Sequence, residues 1–144
     1  MVQTHHISDR EQAIDTMIAL TRPSPLHRII AGGDGIELSV ALRQRGFMRI
    51  ATTKTCSMAR RQHAFGLLAG RASEVESGLE EIEPFLGASA AVAVLIESHD
   101  GGICMKIRNK LERSGFRIDA GVRCQQGLVL SASRQRLVQL KSAA

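Results

Sequence analysis

Ile29-Ile30-Ala31-Gly32-Gly33-Asp34-Gly35, residues 29–35, is the stretch on which the fold turns. A short apolar run over 26–31 ends in a cluster of glycines, and an amphipathic stretch over 36–45 follows at once. A buried strand that passes through a tight glycine turn into a helix is half of a βαβ unit, with its crossover at the carboxyl end of the strand. There, small residues let backbone amides and a helix N-terminus approach a bound group. The spacing predicts a helix over 36–45 with Leu38, Ala41 and Leu42 inward, closed by Gly46.

The alternation extends on both sides. Upstream, Ser8-Asp9-Arg10-Glu11 has the S-x-x-E form of a capping box, followed by Ala13, Ile14, Met17 and Ile18 at helical spacing. Arg22-Pro23-Ser24-Pro25 stops that helix, so residues 1–25 are expected as a helix and turn packed on a single domain spanning 1–144. Downstream, strands are expected at 48–53, 64–69 and 91–96, with a short helix or turn at 57–62. A second capping box at Ser73-Glu74-Val75-Glu76 opens a helix striped by Val75, Leu79, Ile82 and Leu86. A further helix over 100–114 carries Ile103, Ile107 and Leu111 on one face and closes at Gly115. Two last strand-like runs, 116–124 and 128–133, flank Gln125-Gln126-Gly127 as a hairpin. The pattern predicts an α/β fold: a Rossmann-like three-layer α/β/α sandwich, its sheet mostly parallel, with a C-terminal antiparallel hairpin at one edge. Strands 26–31, 48–53, 64–69 and 91–96 should be parallel neighbours.

Composition narrows the class. With 144 residues, 44% hydrophobic and 23% charged, the chain suits one globular domain. Its longest apolar stretch, 88–96, is about half of what a membrane helix needs. Residues 1–6 lack the basic-then-apolar design of a secretory signal. Cys56, Cys104 and Cys124 form no CxxC pair, so reduced thiols and a cytoplasmic location are expected, with no metal site. The net charge of +5 is unevenly spread. Arg43, Arg45, Arg49, Lys54, Arg60, Arg61 and Arg71 follow one another with no acid between them, and then five glutamates fall between 74 and 83. Such asymmetry reads either as a nucleic-acid surface or as two solvated helix faces. Four Phe without Trp or Tyr give base stacking little to build on.

The order of elements from Leu26 to Arg134 resembles the class I S-adenosylmethionine-dependent methyltransferases. Residues 26–35 look like their first strand and nucleotide loop, and 41–47 like the end of their first crossover helix. Residues 101–124 and 127–134 are similar to their late helix and terminal hairpin. The resemblance implies S-adenosylmethionine as cofactor, held by Ala31, Gly32, Gly33, Asp34 and Gly35, with Thr52 and Thr53 towards the ribose and Gly70 at the crevice. It implies methyl transfer as the activity. The sequence also departs from that pattern. Ile29 and Thr52 or Thr53 stand where the family usually carries acids, Ala31 replaces a loop glycine, and no Asn/Asp-Pro-Pro-Tyr follows residue 69. The chain is one strand short between Thr53 and Ala64. Exchanging a charged acceptor for a neutral one forfeits about 1–2 kcal/mol, so weak or lost cofactor binding is expected.

Other readings stay open. The loop is also similar to the Gly-Gly-Asp-Gly-Thr loop of lipid and NAD kinases, with Ile36 where the threonine belongs. A non-catalytic interaction or regulatory domain, possible as a homodimer, is a second alternative, and a basic nucleic-acid-associated protein a third. Cys56 lies near Arg60 and Arg61, cations that could lower a thiol pKa. His5, His6, His27 and His63 are isolated in sequence. His99-Asp100 and Glu97 end a strand, where caps and solvated ends are ordinary.

Overall fold

The computed structural model describes residues 8–53 and 60–134. Chain order is α1 (Asp9–Thr21), β1 (Ile29–Gly33), α2 (Gly35–Gln44), β2 (Ile50–Thr52), β3 (His63–Gly70), α3 (Ala72–Ile82), β4 (Leu86–Ile96), α4 (Gly101–Arg113), β5 (Phe116–Cys124) and β6 (Gly127–Arg134), with a 3-10 turn at Glu83–Phe85. The six strands form one sheet in the order β2-β1-β3-β4-β6-β5. The first four are parallel neighbours, β6 runs antiparallel to β4, and β5 closes the edge as the outer arm of the hairpin. The expected topology is therefore the observed one.

Strand alternation divides the core in two. Ile29, Ala31, Leu67, Ala69, Ala93, Leu95 and Val129 face one side, where Ala13, Ile14 and Met17 of α1 and Leu38 and Leu42 of α2 cover them. Ile30, Leu68, Val92, Val94, Ile96 and Leu130 face the other, under Val75, Leu79 and Ile82 of α3 and Ile107 and Leu111 of α4. Covering on both faces is what lets Ala91–Ile96 be uniformly apolar.

Several local expectations shift. β1 begins at Ile29 rather than 26, because His27 closes a turn on Ser24 through its amide and its ring, leaving Leu26 exposed. β2 is only Ile50–Thr52, since Met48 and Arg49 lie outside the ladder. Ser8 caps α1 through the Glu11 amide as expected. In α3 the helix starts two residues earlier than predicted: Arg71 is the N-cap, and Glu74, not Glu76, reaches back to the Arg71 amide at 2.9 Å. In α4, Cys104 takes the buried position assigned to Ile103, which is partly exposed.

β2 has only β1 as neighbour, so it is the outer strand on that side of the sheet. Residues 53–62, which join it to β3, are too few for the extra strand and helix that the methyltransferase resemblance would put there. Residues 57–59 of the turn expected at 57–62 lie outside the described residues, as do Cys56, His5, His6 and Lys54. No helix among the described residues is long and apolar enough to cross a membrane.

Candidate functional site

At the carboxyl end of β1 and β2 the glycine loop borders a crevice of about 170 Å³. Ala31, Gly32, Gly33, Asp34, Gly35, Thr52 and Thr53 line it, so the structure brings together seven of the eight residues singled out from sequence. Gly70 is not among the lining residues. The Glu74 carboxylate folds back over it, and a Cβ there would meet Glu74 Oε1 at 2.7 Å.

The loop is shaped first by backbone packing. Gly33 has φ +69°, and a Cβ on it would meet the Ala69 carbonyl oxygen at 2.5 Å. The Asp34 amide donates to that same carbonyl at 2.8 Å, so it is spent inside the fold. The Asp34 side chain does not cap α2. It accepts instead from Arg10 of α1 at 2.6 Å, and the other arm of the same guanidinium reaches Glu97 just past β4. One arginine thus ties the start of α1 across the ends of β1 and β4, and Glu97 is paired rather than a solvated end residue.

Besides Ile36 at the start of α2, two lining residues were not among those singled out from sequence: Glu74 and Glu81. Both belong to α3. Seven residues apart, they sit two turns along one helical face. Gly78 lies between them, and a Cβ on it would meet the Gly33 amide nitrogen at 2.6 Å. The missing side chain lets α3 lie almost on the backbone of β1, which carries the two carboxylates to the crevice. Glu81 Oε1 comes within 3.5 Å of Thr53 Oγ1, a long hydrogen bond. An acid is therefore present beside the end of β2 after all, supplied by the helix rather than the strand. The only available signal was the five-glutamate run, which also fits a solvated face.

The lining holds three carboxylates, Asp34, Glu74 and Glu81, and no basic side chain. A cationic or polyhydroxylated group is favoured there, while a phosphate would meet like charge. Ser/His/Asp geometry is absent among the described residues near the crevice. His99 Nε2 bonds the Gln125 carbonyl and Asp100 caps α4, both ordinary structural roles. Cys104 is buried, and burial raises its thiol pKa, so it carries no reactive thiolate.

The basic cluster read from sequence does not form one surface. Arg45 is bound to Asp15 and to the Ala41 carbonyl. Arg71 caps α3 at the carboxyl end of the sheet, whereas Arg49, Arg60 and Arg61 precede the amino ends of β2 and β3.

Neither a family model nor a curated protein sequence matches the chain. Solved structures do match its fold. The ribosomal protein L11 methylase of Lactobacillus delbrueckii subsp. bulgaricus superposes with a TM-score of 0.64 at 17% identity, covering 87% of this chain and 78% of that one. An S-adenosylmethionine-dependent methyltransferase from Listeria monocytogenes, itself described as putative, gives 0.58 at 9% identity, covering 88% and 99%. The [4+2]-cyclase SpnF gives 0.62 at 11% identity, covering 88% and 81%. The chain has the class I methyltransferase-like fold, and that fold also carries a cyclase.

Proposed function

We propose that this methyltransferase-like domain binds S-adenosylmethionine weakly, through its adenosyl end, in the crevice at the carboxyl end of β1 and β2. The observation that carries the reading is Glu81 beside Thr53, an acid and a hydroxyl where ribose hydroxyls need acceptors, facing the glycine loop. Charge supports the same ligand. S-adenosylmethionine carries a net positive charge, and of the three carboxylates lining the crevice only Asp34 is answered by a guanidinium, that of Arg10. The same charge argues against the phosphates of a Gly-Gly-Asp-Gly kinase substrate.

Affinity is limited by three features. The crevice, at about 170 Å³, is smaller than the roughly 300–1,000 Å³ typical of small-molecule clefts, so it cannot enclose the whole cofactor. The Asp34 amide and carboxylate are committed to Ala69 and Arg10. Ile29 offers no acceptor. A dissociation constant on the order of 0.1 mM or weaker follows, or about 5 kcal/mol.

Calorimetry with S-adenosylmethionine and S-adenosylhomocysteine tests this. The charged cofactor should bind the more tightly of the two, and Glu81→Gln should weaken both several-fold. Absence of heat with either at millimolar concentration, or unchanged affinity in Glu81→Gln, would remove the proposal. The first of those outcomes favours a non-catalytic interaction domain, a reading supported by how fully the loop's polar groups are used within the fold.

A further inference from the structure

At the opposite end of the sheet lies a second cleft, of about 260 Å³, lined by Arg28, Met48, Arg49, Ile50, Ala51 and His63. Arg28 immediately precedes β1 and Arg49 immediately precedes β2. Ile29 pairs with Ile50, so the two arginines occupy neighbouring positions just ahead of two parallel strands. Like charges in that relation repel, and sheets usually avoid it. Neither guanidinium meets a carboxylate: every ion pair among the described residues lies elsewhere. Among the described residues Arg28 donates to the Gln62 side-chain oxygen, at 2.7 Å. Among the described residues Arg49 donates to the Leu26 carbonyl, at 3.3 Å. Two unneutralised guanidinium groups therefore share one cleft.

His63 completes the wall. Its Nδ1 lies 3.2 Å from the Phe85 carbonyl, which can only accept, so Nδ1 bears the proton and Nε2 is left as an acceptor. The residue is almost wholly buried, and it lines the cleft at its inner side. Arg60 and Arg61 precede β3 at this same end, and they too are without a carboxylate.

We propose that this amino end of the sheet binds the phosphodiester backbone of a nucleic-acid duplex, with Arg28 and Arg49 holding one or two phosphates in the cleft and Arg60 and Arg61 extending the track. A single small anion would need no more than the two cleft arginines, and four unpaired cations on one end suit a chain of charges. With no Trp or Tyr and only four Phe in the chain, unstacked bases have little to rest on, which favours a duplex gripped by its backbone. The proposal does not depend on the crevice at the other end.

The test is fluorescence anisotropy of a labelled duplex of about 16 base pairs over a range of salt, with the slope of log affinity against log salt as the second readout. Arg28→Gln/Arg49→Gln should weaken binding at least tenfold and lower that slope by about 1.8, the value for two phosphate contacts. The charge-matched control Arg113→Gln/Arg123→Gln, on exposed positions of α4 and β5, should leave both nearly unchanged. Equal losses in the two double variants would mean that net charge alone acts, and would overturn the site. Titration of inorganic phosphate and adenosine monophosphate separates the other source of the same chemistry. Binding of either in the cleft without duplex binding would overturn the nucleic-acid assignment. Melting temperature controls for folding, and it should hold or rise once the arginine repulsion is gone.

Discussion

The two ends of one parallel sheet carry opposite chemistry. At the carboxyl end, Asp34, Glu74, Glu81 and Glu97 gather around a glycine turn, and Arg10 answers two of them, Asp34 and Glu97. At the amino end, Arg28, Arg49, Arg60 and Arg61 stand without a carboxylate. The contrast teaches that a glycine-rich strand-to-helix turn does not by itself make a phosphate site. Here three carboxylates line the crevice beside the loop, and the Arg10 guanidinium at this end is already held by Asp34 and Glu97.

The largest expected effect concerns the turn itself. Gly33→Ala combines a left-handed backbone with a Cβ only 2.5 Å from the Ala69 oxygen. It should cost about 2 kcal/mol or more in a denaturant melt, with or without nucleoside ligand present. A variant that keeps its stability and loses only ligand affinity would mean that the turn exists for the ligand, and would break the comparison at its first term.

Next comes Arg10→Met, which leaves Asp34 and Glu97 facing each other without their shared cation. The three side chains are about a quarter exposed, so the loss should be about 1 kcal/mol and should shrink in high salt. Urea melts at two ionic strengths check it, and a salt-independent loss would point to packing by the arginine stem instead.

A smaller effect belongs to the amino end. Burial first, and the Arg28 charge after it, hold the His63 imidazole below its usual pKa, against the bond to the Phe85 carbonyl. The unfolded chain therefore takes up a proton near pH 6.5 that the folded chain still refuses. The stability due to neutral His63 is complete above that pH and declines as pH falls towards the lowered folded value. Thermal melts from pH 7.5 to 5 should show the decline, and His63→Asn, whose amide can replace Nδ1, should flatten it. An equal decline in the variant would assign the effect to other groups.

Much of this was legible before any coordinates. Apolar runs and 3.6-residue periodicity located the helices and strands, and their alternation predicted four parallel neighbours and a terminal hairpin. The 3-10 turn at Glu83–Phe85 was not foreseen, and Leu86, read as the end of the helical stripe, opens β4 instead. Boundaries were less legible. The exposed Leu26 reads as strand until the turn bonds of Ser24 and His27 are known. The glycine loop was singled out on local sequence, and Thr52 and Thr53 through the resemblance to the methyltransferases; all of them line the crevice. Glu74 and Glu81 were not, since their position depends on how closely Gly78 lets α3 approach β1, a packing fact between distant segments. The Arg10 bridge to Glu97 spans 87 residues of chain, beyond any local pattern. The amino-end cleft was half visible: Arg49, Arg60 and Arg61 belonged to the basic run, but Arg28 lies outside it and is brought in only by the register of β1 with β2.

The central claim is that the anionic crevice, and not the basic end, receives the adenosyl ligand. Amide chemical-shift mapping of isotopically labelled protein with S-adenosylhomocysteine tests it most directly. The account predicts concentration-dependent shifts at Gly32 to Ile36, at Thr52 and Thr53 and around Glu81, with Arg28, Arg49 and His63 still. Shifts confined to the amino end, or none at millimolar ligand, would contradict it.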